Sequence, residues 1–167
     1  MKEKIYLCGF MGSGKTTVGK ILSEKMSRTF IDTDTTVELE SGMSVAEIFK
    51  TRGEDEFRRM ESEVIRRLSE RNESCIIALG GGSLISLSNR KLVRSSGYLI
   101  YLKTELSRLM LRLSGHRDRP LLQTVKVDTL FRLREPGYLE ANWICDCEDF
   151  DAEAIADLIL KKCQKKI

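Results

Sequence analysis

The chain has 167 residues, 41% of them hydrophobic and 32% charged, with 12 glycines and 2 prolines. That is the length of one ordinary domain, and the composition excludes collagen-like, low-complexity and mostly disordered classes. A net charge of +3 gives no push toward nucleic acid or anionic membrane, and no apolar run approaches the roughly 20 residues of a bilayer span.

In chain order, Ile5–Cys8 predicts a buried strand that ends at Gly9, too early for the apolar core of a signal peptide. Lys15–Met26 predicts a helix with Val18, Ile21, Leu22 and Met26 on one face. Thr29–Ile31 is a short strand running into acidic residues, with a helix starting near Thr35. Glu54–Arg71 is a strong helix, with Phe57, Met60, Val64, Ile65 and Leu68 at helical spacing. Cys75–Leu79 is a buried strand stopped by Gly80-Gly81-Gly82. A helix over Asn89–Ser95, a strand over Tyr98–Leu102 and a helix over Glu105–Leu113 follow. Leu130–Ala141 has a helical pattern that Pro136 should kink or end. Trp143–Cys147 predicts a fifth strand, and Ala152 to about Lys162 a terminal helix.

Continuous apolar strands separated by helices predict an α/β fold with a parallel sheet covered on both faces. Ligands of such sheets bind beyond the carboxyl ends of the strands. The segments after Cys8, Ile31 and Leu79 should therefore gather at one edge. The five cysteines are odd in number and scattered, and Cys145-x-Cys147 has no second ligand pair. They predict reduced thiols in a reducing cytoplasm rather than disulfides or a zinc site.

The sharpest motif is Gly9-Phe10-Met11-Gly12-Ser13-Gly14-Lys15-Thr16, which matches G-x-x-x-x-G-K-[ST] between a strand and a helix. Its glycines let successive N–H groups turn toward phosphate oxygens, and the helix dipole favours the same anion. Lys15 can reach the β- and γ-phosphates, and the Thr16 hydroxyl can ligate Mg²⁺. Next, Asp32 and Asp34 stand two residues apart, and in an extended segment both would face the phosphate site. One could hold Mg²⁺ and the other accept a hydroxyl proton; a helix cap is the competing role. Arg58 stands three residues before Glu61, a spacing that can fix its fork for a carboxylate. Gly80–Gly82 allows close approach of backbone to ligand, or a tight turn. Arg108, Arg112, Arg117 and Arg119, with Gly115 and Pro120, have the composition of a basic lid over phosphates; His116 reads as a loop residue. Arg134, just before Pro136, could turn toward a ligand.

With these motifs in register, the chain resembles the shikimate kinase family over Ile5–Tyr138. The matching segments are Gly9–Thr16, Phe30–Asp34, Phe57-Arg58, Gly80–Gly82, Arg119–Leu122 and Arg134–Tyr138. The resemblance implies a three-layer αβα P-loop kinase fold with a five-stranded parallel sheet. It implies one domain over 1–167, an acceptor-binding region near 32–61 and a lid near 112–122. It also implies transfer of the γ-phosphate of MgATP to the 3-hydroxyl of shikimate, in the route to chorismate and the aromatic amino acids. The implied partners are small molecules only, with a cytoplasmic monomer and neither nucleic acid nor membrane.

By the same resemblance, Lys15, Asp34 and Arg119 are catalytic. Gly12, Ser13, Gly14, Lys15, Thr16, Thr17, Arg112 and Arg119 bind ATP. Thr16 and Asp32 serve Mg²⁺, Asp32 through water. Asp34 holds the shikimate hydroxyls, and Arg58 and Arg134 its carboxylate. Glu61 orients Arg58, Gly80, Gly81 and Gly82 line the ligand, and Phe49 and Phe57 form an aromatic wall. The chain departs from the family at Met11, at Asn142-Trp143 and in the Asp146–Asp151 turn, which carries no arginine. Other readings are a related small-metabolite kinase acting on gluconate or a nucleotide, or an idle nucleotide-binding module.

Overall fold

The computed structural model describes residues 4–113 and 126–164. Five strands form one sheet in the order β2-β3-β1-β4-β5. They are β1 (Lys4–Cys8), β2 (Thr29–Asp32), β3 (Cys75–Ala78), β4 (Gly97–Lys103) and β5 (Trp143–Asp146). Every pairing is parallel, with Tyr6 opposite Ile77 on one side and Leu99 on the other.

Side chains alternate along a strand, and here both sets are buried. Tyr6, Cys8, Ile77, Leu99 and Tyr101 face α4 (Glu54–Glu70), α5 (Leu87–Ser96), α6 (Leu106–Leu113) and α7 (Val127–Leu139). Ile5, Leu7, Ile76, Ile100 and Leu102 face α1 (Lys15–Met26) and α8 (Ala152–Gln164) through Val18, Leu22, Ile155 and Ile159. The result is a sheet covered on both faces, as the strand pattern implied, in the three-layer αβα architecture that the resemblance implied. The connections run from β1 outward to β2, return to β3, and then cross to β4 and β5. That order reverses at β1, so the loop after Cys8 opens into the crevice where such sheets bind ligands.

Three elements sharpen or extend the sequence expectation. Asp32 ends β2 and caps α2 (Thr33–Ser41), so the acidic motif is a strand-to-helix junction and not an extended run. A short helix, α3 (Val45–Arg52), was not anticipated; Ser44 and Glu47 form a reciprocal capping box at its start. Pro136 lies inside α7, which continues to Leu139 without ending there. The proline removes a donor for the Arg132 carbonyl, but Arg132 and Pro136 are both exposed, so water can take that bond. Past the proline, Gly137 lies against the Leu84 carbonyl so closely that a Cβ would not fit, and Tyr138 is buried. Packing overrides the local breaking tendency.

Cys8, Cys75, Cys145 and Cys147 are buried thiols, with Cys147 Sγ donating to the Cys145 carbonyl at 3.3 Å. Among the described residues no helix is long and apolar enough to cross a membrane.

Candidate active site

The loop after β1 turns back on itself, with Ser13 N–H donating to the Phe10 carbonyl at 3.1 Å. Gly12 and Gly14 sit at φ 81° and 90°, left-handed positions that favour glycine. Lys15 Nζ folds over the loop and donates to the Gly9 and Phe10 carbonyls at 2.8 and 3.1 Å. Arg112 reaches from the end of α6 to the Gly12 carbonyl at 3.0 Å. A cavity of about 360 Å³ lies over this loop, bordered by Gly12, Gly14, Lys15, Thr16, Thr17 and Arg112 among others.

Asp32 uses both carboxylate oxygens. Oδ1 accepts the Asp34 and Thr35 N–H groups at 3.0 and 3.3 Å, and Oδ2 accepts the Thr16 hydroxyl at 2.9 Å. The capping and loop-facing roles are therefore one role shared between two oxygens. Thr16 and Asp32 bring two hard oxygen donors together at the cavity wall, a donor set that fits Mg²⁺. Among the described residues no three His, Cys, Asp or Glu side chains gather as a metal cage. Mg²⁺ in phosphate sites needs none, because phosphate and water complete its octahedron.

A second cavity of about 550 Å³ adjoins the first. Met11, Thr16, Asp32, Asp34 and Gly81 border both. Phe49 of α3 and Phe57 of α4 form one wall, their rings 5.1 Å apart. Arg58 and Arg134 line the same space. Arg58 Nη1 donates to Glu61 Oε2 at 2.9 Å, while Nε and Nη2 reach Glu54 Oε1 at 3.3 and 3.2 Å. Arg134 is buried with its guanidinium 5.6 Å from the Phe10 ring centre, and its Nε has no hydrogen-bond partner. Burial pulls Arg134 below the ordinary arginine value, and the neighbouring Arg58 charge adds to that. Two inward guanidinium groups suit an anion, and their fork geometry suits a carboxylate.

The glycine triplet is shaped by these side chains. A Cβ on Gly80 would collide with Asp34 Oδ1 and Glu61 Oε1, and one on Gly82 would collide with the Arg58 guanidinium. Arg134 Nη1 stands 3.0 Å from where a Gly81 Cβ would be. The triplet forms a turn, with the Ser83 N–H donating to the Gly80 carbonyl at 3.0 Å, and Gly81 and Gly82 border the second cavity. Close approach is required here by the protein's own charged groups. Asp34 Oδ1 is buried without a hydrogen-bond partner. Burial first, then the Glu61 and Asp32 charges, push its carboxyl up to about 6, against the pull of Lys15 and Arg58.

A phosphate-loop cavity opening onto a chamber with two arginines and a perturbed carboxylate is the arrangement of a small-metabolite kinase, and comparison with known proteins identifies the family. The family model described as shikimate kinase matches residues 11–164. The chain belongs to the shikimate kinase family. A shikimate kinase of Sulfurihydrogenibium sp. is 36% identical over 166 residues, covering 98% of this chain and 99% of the relative. One from Caldanaerobacter subterraneus is 39% identical over 163 residues, covering 95% of each. The shikimate kinase of Acinetobacter baumannii, solved in complex with shikimate, superposes with a TM-score of 0.91 at 33% identity, covering 98% of this chain and 94% of that one. As a member of the shikimate kinase family, the chain is an ATP-dependent kinase.

Of the expected lid, Gly115, His116, Arg117, Arg119 and Pro120 lie outside the described residues. Arg108 does not border the phosphate-loop cavity; it pairs with Glu148 at 3.1 Å and also donates to the Glu148 carbonyl. The turn after β5 has no arginine of its own, and Arg108 of α6 supplies one from outside it. At the other departure, Asn142 forms a two-way bond with Leu99, opening β5. Sequence reasoning missed Glu54, a second acceptor for Arg58 at i,i−4. It also missed Glu38, which lines the second cavity and accepts the Val45 N–H at 2.9 Å. Both stand one helical turn from a residue the motifs single out, so helical spacing was the available signal.

Proposed function

We propose that this chain transfers the γ-phosphate of MgATP to the 3-hydroxyl of shikimate, giving shikimate 3-phosphate and ADP on the route to chorismate and the aromatic amino acids. The observation that carries the reading is the meeting of two cavities at Asp34. A triphosphate loop borders one side, and a chamber built for a hydroxylated carboxylate borders the other.

The N–H groups of Gly12, Ser13, Gly14, Lys15, Thr16 and Thr17 hold the phosphates of ATP. Arg112 lies beside adenine, and Lys15 and Arg119 draw charge from the transferring group. Thr16 would ligate Mg²⁺ and Asp32 would hold it through water, and the bound ion would supply neutralising charge for the phosphates. Arg58 and Arg134 clamp the shikimate carboxylate, Phe49 and Phe57 wall its ring, and the Gly80–Gly82 turn closes the floor. Asp34 orients the 3-hydroxyl. As the oxygen bonds to γ-phosphorus and the β–γ bridge breaks to release ADP, Asp34 takes the hydroxyl proton. A carboxyl pushed up to about 6 is a better base than a solvated one and is still ionised at neutral pH. The chain acts as a cytoplasmic monomer on small molecules, without nucleic acid or membrane. Its small net charge and buried thiols support that setting.

ADP release from ATP and Mg²⁺, measured with shikimate and with gluconate in separate reactions, tests the reading. Release should track shikimate and stay at background with gluconate. Equal rates would make the acceptor a general polyhydroxy acid, and release independent of either would make the chain an idle nucleotide-binding module.

A further inference from the structure

We propose that Ser83 is a positioning residue for the acceptor carboxylate, holding Glu61 in the orientation that aims Arg58 into the acceptor cavity. The inference rests on the acceptor reading above and adds a residue that touches neither substrate.

Glu61 is 1% exposed, so each of its carboxylate oxygens needs a donor from the protein. Oε2 takes Arg58 Nη1 at 2.9 Å. Oε1 takes the Ser83 hydroxyl at 2.6 Å, a charge-assisted length. On its other side Oε1 converges with Asp34 Oδ1 over the bare Gly80 Cα, and Asp34 Oδ1 brings no donor. Ser83 is thus the group that anchors Glu61 Oε1 against a like charge. Without it, the low-energy escape is rotation of the carboxylate so that both oxygens meet Arg58. The fork would follow Glu61 and lose its aim.

Ser83 is itself held on three sides. It is fully buried, its N–H donates to the Gly80 carbonyl at 3.0 Å, and its carbonyl accepts Asn89 Nδ2 at 3.0 Å. Asn89 Nδ2 also reaches Ser62 Oγ of α4 at 3.1 Å. A chain of bonds therefore runs from α5 through Ser83 and Glu61 to Arg58. Ser83 and Asn89 border neither cavity, which separates positioning from direct contact.

The test is Ser83→Ala, with Ser83→Cys as a milder variant of similar shape and a weak donor. Ser83→Ala should raise the KM for shikimate about ten- to a hundredfold, the factor that loss of one hydrogen bond to a charged group corresponds to. The KM for ATP should not move, and kcat should stay within about threefold. Ser83→Cys should recover part of the loss. In a Glu61→Gln background, Ser83→Ala should add less than twofold, because both changes act through one fork. A shikimate KM within twofold of wild type, equal rises for both substrates, or full additivity with Glu61→Gln would each overturn the inference. If Ser83→Ala does not fold, Ser83→Cys alone decides by the same criteria. Wild-type ADP release that ignores shikimate would take down the acceptor reading and this inference together. A normal Ser83→Ala KM in an enzyme that does use shikimate would remove this inference only.

Discussion

Asp34 and Glu61 bring two carboxylate oxygens to one point above Gly80. Burial and this neighbour raise the Asp34 carboxyl from 3.8 to about 6. An acid whose folded value is raised holds extra protons in the folded state between those two values, so stability falls as pH rises through that window. Above about 6 the ionised group costs the ligand-free protein about 3 kcal/mol, at 1.36 kcal/mol per pKa unit. Asp34→Asn removes that cost. In chelator and without nucleotide, the variant should melt several degrees above wild type at pH 8. At pH 3.5, where the folded carboxyl is protonated and the unfolded one mostly so, the gain should nearly vanish. Turnover should fall while MgATP binding survives. A variant that melts below wild type at pH 8, or shows no pH dependence in the difference, would place Asp34 among ordinary paired carboxylates.

At the scale of elements, strands β1, β3 and β4 were legible because each is a continuous apolar run bounded by glycine or polar residues. Helix α4 was legible because its apolar residues repeat at helical spacing over many turns. Helix α3 was not. It has eight residues and buries only Ile48 fully, so it presents no stripe. Its signal was the Ser44-x-x-Glu47 box, a cap without a periodic segment to announce it. The phosphate loop was readable as a local motif. The chamber's anchors were not, because Ser83 meets Glu61 across 22 residues of chain, and only the fold brings them together. The α3 cap also bears on function, since that helix carries Phe49 on the acceptor wall. Ser44→Ala removes a hydroxyl that accepts the Glu47 N–H, a change that costs about 1 kcal/mol in a helix cap. We expect a melting temperature lower by about 2–4 °C for a chain of this size. The KM for shikimate should rise severalfold with that for ATP unchanged. An unchanged shikimate KM at the lowered melting temperature would detach α3 from acceptor binding.

For the molecule as a whole, the described residues compensate the buried Arg134 charge only at a distance, through Glu61 and Glu54. Arg134 is buried on the acceptor side, and among the described residues no carboxylate lies within ion-pair distance of it. Its guanidinium lies over Phe10, and Tyr138 one turn on donates to the Gly81 carbonyl, tying α7 to the glycine turn. A buried cation without a counter-charge weakens the fold, whereas an apolar side chain of similar length does not. The proposed clamp assigns that counter-charge to the acceptor's carboxylate, so substrate should complete the electrostatics of the folded state. A ligand at a hundred times its Kd adds about 2.7 kcal/mol, roughly 5–10 °C for a chain of this length. Wild type should show such shifts with shikimate and with MgATP separately. Arg134→Met keeps the packing over Phe10 and removes the charge. It should melt at or above wild type without ligand, keep the MgATP shift and lose the shikimate shift. A ligand-free Arg134→Met protein that melts well below wild type would assign Arg134 to the support of α7. A retained shikimate shift would show that the carboxylate is held elsewhere.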